Sequence, residues 1–199
     1  EQVRVPGPSA AEEAEGVRVR ELVGSGSTRR KLELEHVHGF RGKDSRAAVV
    51  ADSAGLAVYY ASHLCIVHNT HTNTQKFFSL HDGAVSAVAM HPAGTVVASA
   101  QAPSGRQASM AIRVWRPEDL AEVVALGSVT DKLSTVSILA FSASGRRLAS
   151  VSNDARNKLC VWDWAEAVLL VTAAGHVDHP VLCLAFSPNI EDSELVTAG

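Results

Sequence analysis

Apolar residues alternate with polar or small ones in short runs along most of the chain, and turn-forming residues separate the runs. Three runs align with one another: Val85-Ser86-Ala87-Val88-Ala89-Met90-His91-Pro92, Val136-Ser137-Ile138-Leu139-Ala140-Phe141-Ser142-Ala143 and Val181-Leu182-Cys183-Leu184-Ala185-Phe186-Ser187-Pro188. Alternation with period two sends successive side chains to opposite faces of an extended chain, so each run predicts a buried strand that ends in a turn. Gly94 and Gly145 follow the first two turns, and second strands follow at Val96 to Ala100, Leu148 to Val151 and Leu195 to Ala198. A third strand ends in tryptophan, at Ala111 to Trp115 and at Lys158 to Asp163, and a fourth apolar run comes at Val123 to Leu126 and Val168 to Val171. The spacing is 51 residues from Met90 to Phe141, 45 from Phe141 to Phe186 and 47 from Trp115 to Trp162.

Four short strands in units of about 40–45 residues, closing on a Trp-Asp pair, predict an all-β chain of WD-repeat propeller blades. Gly175-His176 and Trp162-Asp163 bracket blade boundaries, and Ser152-Asn153-Asp154 falls where the turn between second and third strands belongs. WD repeats generally join a His, a Ser, a turn Asp and a Trp in a hydrogen-bonded chain. His176, Ser150, Asp154 and Trp162, with Asp163 and Trp115, are therefore assigned to blade architecture and not to catalysis. The copy at 81–127 departs from the pattern: Arg116 follows Trp115, His81 has no preceding Gly, and the turn is enlarged over Ala102 to Ser109. Upstream, runs at Ala47 to Ala51, Leu56 to Ala61, Leu64 to Val67 and Lys76 to Leu80 predict a further, irregular sheet, with turns at 52–55 and 69–75.

The predicted organisation is an extended linker or tail over 1–31, a motif and irregular first blade over 32–80, blades over 81–127 and 128–175, and the first half of another over 176–199. Pro6-Gly7-Pro8-Ser9, Glu12-Glu13-Ala14-Glu15 and Gly24-Ser25-Gly26-Ser27-Thr28 give the first segment its linker composition; a partner surface or its own propeller would order it. Closed propellers take about 4–8 blades. The expectation is thus a partial propeller of about three to four blades from a larger polypeptide, or one that borrows strands from a neighbour, because a bare sheet edge is avoided or covered.

Just ahead of the first sheet lies Leu32-Glu33-Leu34-Glu35-His36-Val37-His38-Gly39-Phe40-Arg41-Gly42-Lys43-Asp44-Ser45-Arg46. This stretch resembles the HELP motif that opens the propeller region of the echinoderm microtubule-associated-protein-like family, including its Gly-aromatic-Arg-Gly-basic-Asp-x-Arg run. Thr74-Gln75-Lys76, His91-Pro92, Ile112-Arg113-Val114-Trp115, Asp154 and Val161-Trp162-Asp163-Trp164 recur in family order, so the resemblance covers about residues 32–199. His36 and His38 stand where the family has aromatic residues, and residues 1–31 show no heptad pattern for a trimerising coiled coil. The resemblance implies joined propellers, one of them atypical, and microtubule binding.

Composition changes this picture little. The 199 residues are 46% hydrophobic and 20% charged, enough to build a core without staples, but only 5% aromatic, so small and β-branched residues must fill it. A net charge of −3 argues against a dedicated nucleic-acid binder, and any basic partner site must be local. Cys65, Cys160 and Cys183 are odd in number and sit in apolar settings, which reads as buried thiols in a reducing compartment. No apolar run reaches the length of a membrane helix and no signal peptide opens the chain, so a soluble intracellular protein with no membrane partner is expected.

The remaining chemistry weighs against an enzyme. Gly42-Lys43-Asp44-Ser45 fails the phosphate-loop spacing, since residue 37 is Val and Asp follows the Lys. His36-x-His38 and His68-x-x-His71 lack the further ligands zinc needs, and no nucleophile elbow occurs; no cofactor or metal is expected. Basic clusters at Arg29, Arg30, Lys31, Arg41, Lys43 and Arg46, and at Arg146-Arg147, are either solvated surface or contacts to acidic tubulin, and the cluster around the HELP-like segment suits tubulin better. The reading is a non-enzymatic microtubule-binding protein of the cytoplasmic cytoskeleton, extending to ciliary axonemes and other microtubule-associated or axonemal partners. Its rival is a general WD-repeat adaptor for a complex such as a ubiquitin ligase.

Overall fold

The computed structural model describes residues 17–22, 29–40, 42, 45–103, 112–127, 135–175, 179–188 and 192–199; side chains are described outside 17–22 and 29–32. The chain divides into two compact units, Glu1–Gly39 and Phe40–Gly199.

In the first unit, β1 (Val17–Leu22) pairs antiparallel with β2 (Arg29–Leu34), the register running from Val17 opposite Leu34 to Leu22 opposite Arg29. A hairpin thus occupies part of the segment that composition assigns to a linker, and β2 straddles the expected boundary at residue 32. The reason lies in short patterns that composition averages away. Val17-Arg18-Val19-Arg20 and Lys31-Leu32-Glu33-Leu34 both alternate apolar with charged residues, and Gly24-Ser25-Gly26 lies between them.

Among its described residues the second unit holds three four-stranded antiparallel sheets, one two-stranded sheet and no helix. The first sheet comprises β3 (Val49–Ala51), β4 (Leu56–Ala61), β5 (Leu64–Asn69) and β6 (Thr74–Phe78), paired in chain order. The second runs through β7 (Val85–Met90), β8 (Val97–Gln101), β9 (Ile112–Trp115) and β10 (Glu122–Leu126). The third has β11 (Val136–Phe141), β12 (Arg147–Ser152), β13 (Leu159–Asp163) and β14 (Val168–Ala173), and the fourth pairs β15 (Cys183–Phe186) with β16 (Leu195–Ala198). Contacts between β3 and β7, β7 and β11, and β11 and β15 make the leading strand of each sheet its innermost. Sheets stacked through their first strands are blades around an axis, the propeller that the repeat predicts.

On the second blade, Val88, Val97 and Trp115 face back to the first sheet, packing with Val58, Tyr60, Cys65, Val67 and Phe78. Ala87, Ala89, Ala98 and Ala100 face forward, where Leu139, Leu148 and Trp162 of the third blade enter. Alanines on the forward face of the two inner strands, beside Ile112, Val114 and Leu126 of the outer strands, leave room for those large side chains, so the sheets interdigitate with few aromatic residues. The rings that exist are placed at blade contacts: Phe78 stacks on Trp115 with centroids 4.4 Å apart and planes 7° apart. Burying a tryptophan removes roughly 150–250 Å² from water, about 4–6 kcal/mol at about 25 cal/mol per Å².

The thiol expectation holds for Cys65 and Cys160, which are buried, and fails for Cys183, which is exposed. Cys183 and Leu184 are neighbours on β15, and strand alternation that turns Leu184 inward turns Cys183 outward. Burial pushes the Cys65 thiol up to about 12, so it acts as a small apolar group.

Candidate functional site

Two constructions bear on function: the polar networks of the second and third blades, and the basic segment that precedes the first sheet. The network is built by strand register. On the second sheet Ser99 of β8 lies one strand in from Trp115 of β9, and Trp115 Nε1–H donates to Ser99 Oγ at 2.9 Å. The hydroxyl reaches His81 Nε2 at 2.7 Å, His81 Nδ1 meets Gln101 Oε1 at 2.9 Å, and the Gln101 amide donates to Asp82. All four protons then run one way: from Trp115 to Ser99, from Ser99 to a neutral imidazole, from His81 Nδ1–H to the Gln101 carbonyl, and from its amide to the Asp82 carboxylate. Burial holds the His81 ring below the ordinary imidazole range, outweighing its Gln101 bond and the Asp82 charge.

Among the described residues this is the fuller network, and it belongs to a blade that lacks both the Trp-Asp pair and a glycine before its histidine. The repeat pattern alone does not single out Ser99, Gln101 and Asp82, because Gln101 takes the place that Ser152 has one repeat later and because no glycine precedes His81. The available signal is register: Ser99 precedes Ser150 by the 51 residues that separate Met90 from Phe141.

On the third blade, Trp162 Nε1–H donates to Ser150 Oγ at 3.3 Å. Asp154 works in the turn, accepting from Ser152 Oγ at 2.6 Å and from the Arg156 and Lys158 N–H groups at 2.8 and 3.3 Å. Burial acts against its ionisation, yet these donors together keep its carboxyl below the usual range. Asp163 pairs with Arg147 across the sheet at 2.5 Å. Where Arg116 replaces the repeat's aspartate it pairs instead with Asp119 at 2.6 Å, which draws that carboxyl down to about 2. His176 and most of the enlarged turn at 102–109 lie outside the described residues.

Of the basic residues, Arg29, Arg30 and Lys31 lie consecutively in β2, while Arg41 and Lys43 fall outside the described residues. Arg46 stands in the second unit, three residues before β3, and donates Nη1–H to the Val181 carbonyl at 2.9 Å. It is thus tied to the lead-in of the fourth sheet. His36 and His38 have ring centroids 4.5 Å apart, and among the described residues no three His, Cys, Asp or Glu side chains gather as a metal site. No helix among the described residues is long and apolar enough to cross a membrane.

Stacked four-stranded blades with Trp–Ser and Trp–Ser–His bonds define a WD-repeat β-propeller protein. Family models agree: the WD domain, G-beta repeat, matches residues 72–116, and the HELP motif matches residues 29–66, spanning β2, the basic segment and the first two strands of the first sheet. The chain is 28% identical over 174 residues to the 77 kDa echinoderm microtubule-associated protein of Lytechinus variegatus, covering 85% of this chain and 26% of that protein. It is 30% identical over 175 residues to echinoderm microtubule-associated protein-like 4 of Xenopus laevis (85% and 19%), and 29% identical over 176 residues to protein-like 2 of Mus musculus (85% and 26%). The chain is therefore similar to the echinoderm microtubule-associated proteins over most of its length and carries matches to the HELP motif and the WD repeat. It spans about a fifth to a quarter of the length of these relatives.

Proposed function

We propose that this protein binds microtubules without turnover, as a structural component of the cytoskeleton, and that its blades act as rigid carriers for contact residues. The observation that carries the reading is the similarity over 85% of the chain to proteins named for microtubule association, together with a HELP motif that contains the basic cluster. The chain's net charge of −3 sets the mechanism. An acidic chain approaches acidic tubulin productively only through a local cationic patch, so Arg29, Arg30, Lys31, Arg41 and Lys43 steer and dock while the propeller supplies shape. The blade networks supply rigidity, with His176, Ser150, Asp154, Trp162, Asp163 and Trp115 serving architecture. The same role suits the cytoplasmic cytoskeleton and the ciliary axoneme, with tubulin and other microtubule-associated proteins as partners and neither nucleic acid nor membrane required. Co-sedimentation of the protein with stabilised microtubules tests this: pelleting at low salt is expected, and a protein that stays in the supernatant contradicts it.

A further inference from the structure

At the end of the propeller where the inner strands begin, a cavity of about 270 Å³ is lined by Arg46, Ser86, Ala102, Thr135, Ser137 and Asn153 among others. Topology gathers them. Arg46 precedes β3, Ser86 and Ser137 sit at the starts of β7 and β11, and Ala102 and Asn153 follow β8 and β12, which run antiparallel to those inner strands. The register slips between Val85 and Ala87 and again between Val136 and Ile138, so Ser86 and Ser137 are the extra residues of two equivalent β-bulges. Bulges take a side chain out of the ladder and re-aim it, and they recur beside functional sites.

The donors and acceptors of this cavity are divided. Ser86 Oγ–H donates to the Ala100 carbonyl and Ser137 Oγ–H to the Val151 carbonyl, both at 3.2 Å, so each hydroxyl turns lone pairs, not a proton, to a ligand. Arg46 supplies the positive charge: its guanidinium has five N–H groups, and one is committed to Val181 O. That bond fixes a half-buried side chain, and among the described residues no ion pair joins it to a carboxylate. A ligand that satisfies both walls must carry an anionic fork acceptor for Arg46 and N–H donors for the serine oxygens. A phosphate group offers essentially acceptors alone. A peptide with a glutamate or aspartate side chain offers the carboxylate and its own backbone N–H groups. The volume lies below the roughly 300–1,000 Å³ of small-molecule sites and suits one side chain with its peptide unit.

We propose that this cavity is a docking site for an acidic side chain of an extended partner peptide, with Arg46 reading the carboxylate and the bulged Ser86 and Ser137 accepting from the peptide backbone. The proposal does not depend on the identity of the partner. Fluorescence polarisation of the full chain with a labelled Glu-Gly repeat peptide, its Gln-Gly counterpart and inorganic phosphate as competitor tests it. Binding of the acidic peptide only is expected, weakened at least tenfold by Arg46→Gln, only partly restored by Arg46→Lys, and resistant to millimolar phosphate. Ala102→Leu, which fills the cavity and leaves Arg46 in place, is expected to weaken binding similarly and decides alone should Arg46→Gln fail to fold. No binding of the acidic peptide, equal binding of the Gln-Gly peptide, full displacement by phosphate, or wild-type affinity in a folded Ala102→Leu variant would each overturn it.

Discussion

Protonating His81 breaks a chain in which every proton already has a place. The imidazolium would turn a second N–H toward Ser99 Oγ, which already accepts from Trp115, and would carry a buried charge. The folded-state pKa of His81 lies below the ordinary value of 6.5, and that of His91 is lowered too, first by burial. Unfolded chains therefore bind more protons than folded ones below about 6.5, and stability is full above that pH and falls as pH drops toward the lower folded values. Urea midpoints should decline as pH falls below about 6.5, and His81→Asn should start lower and show a shallower decline. An unchanged slope in that variant would remove His81 as a source. Two glycines separate another pair of effects. Gly94 and Gly145 have φ of 70° and 77°, but a Cβ on Gly94 meets Asp52 only at 3.8 Å whereas one on Gly145 overlaps the His91 ring, which packs edge-on to Phe141 and Trp164. Gly94→Ala should cost about 1–2 kcal/mol for left-handed backbone alone. Gly145→Ala should cost more, by about 1–3 kcal/mol of overpacking, in denaturant titrations of both variants.

At the scale of elements, strands were legible wherever alternation and a turn residue coincided: Leu56–Ala61, Val85–Met90, Val136–Phe141 and Leu195–Ala198 stand at the positions the pattern predicts. The first hairpin was not legible because its strands alternate over only a few residues inside a segment whose overall composition is that of a linker. The His81 network was illegible for a different reason: hydrogen bonds across strands depend on register and side-chain reach, and a motif with Gln where the repeat has Ser conceals them. Outer strand β14 leaves Val168, Leu170 and Val171 exposed at a sheet edge. Such an edge templates association, and lysine blunts it. Val171→Lys should change stability by no more than about 0.5 kcal/mol while lowering light scattering of concentrated samples. Equal scattering would show that this edge does not self-associate.

At the scale of the molecule, the proposed microtubule binding makes the propeller a support stiffened by blade-to-blade interdigitation and leaves affinity to a few cations. A chain of net charge −3 gains nothing from its overall field near an acidic microtubule surface, so support and affinity should separate in variants. Neutralising Arg29, Arg30, Lys31, Arg41 and Lys43 should leave thermal unfolding of the blades unchanged, whereas Trp115→Ala should lower it by the several kcal/mol of a lost buried ring, about 3–5 kcal/mol. The most direct measurement is microtubule pelleting of the wild-type protein and the five-cation variant in parallel, at about 10 mM salt, where charges act over about 30 Å, and at about 150 mM, where they act over about 8 Å. Strong pelleting of the wild type that weakens with salt, and little pelleting of the folded variant at either salt, are expected. Wild-type and variant proteins that pellet alike at low salt would contradict it.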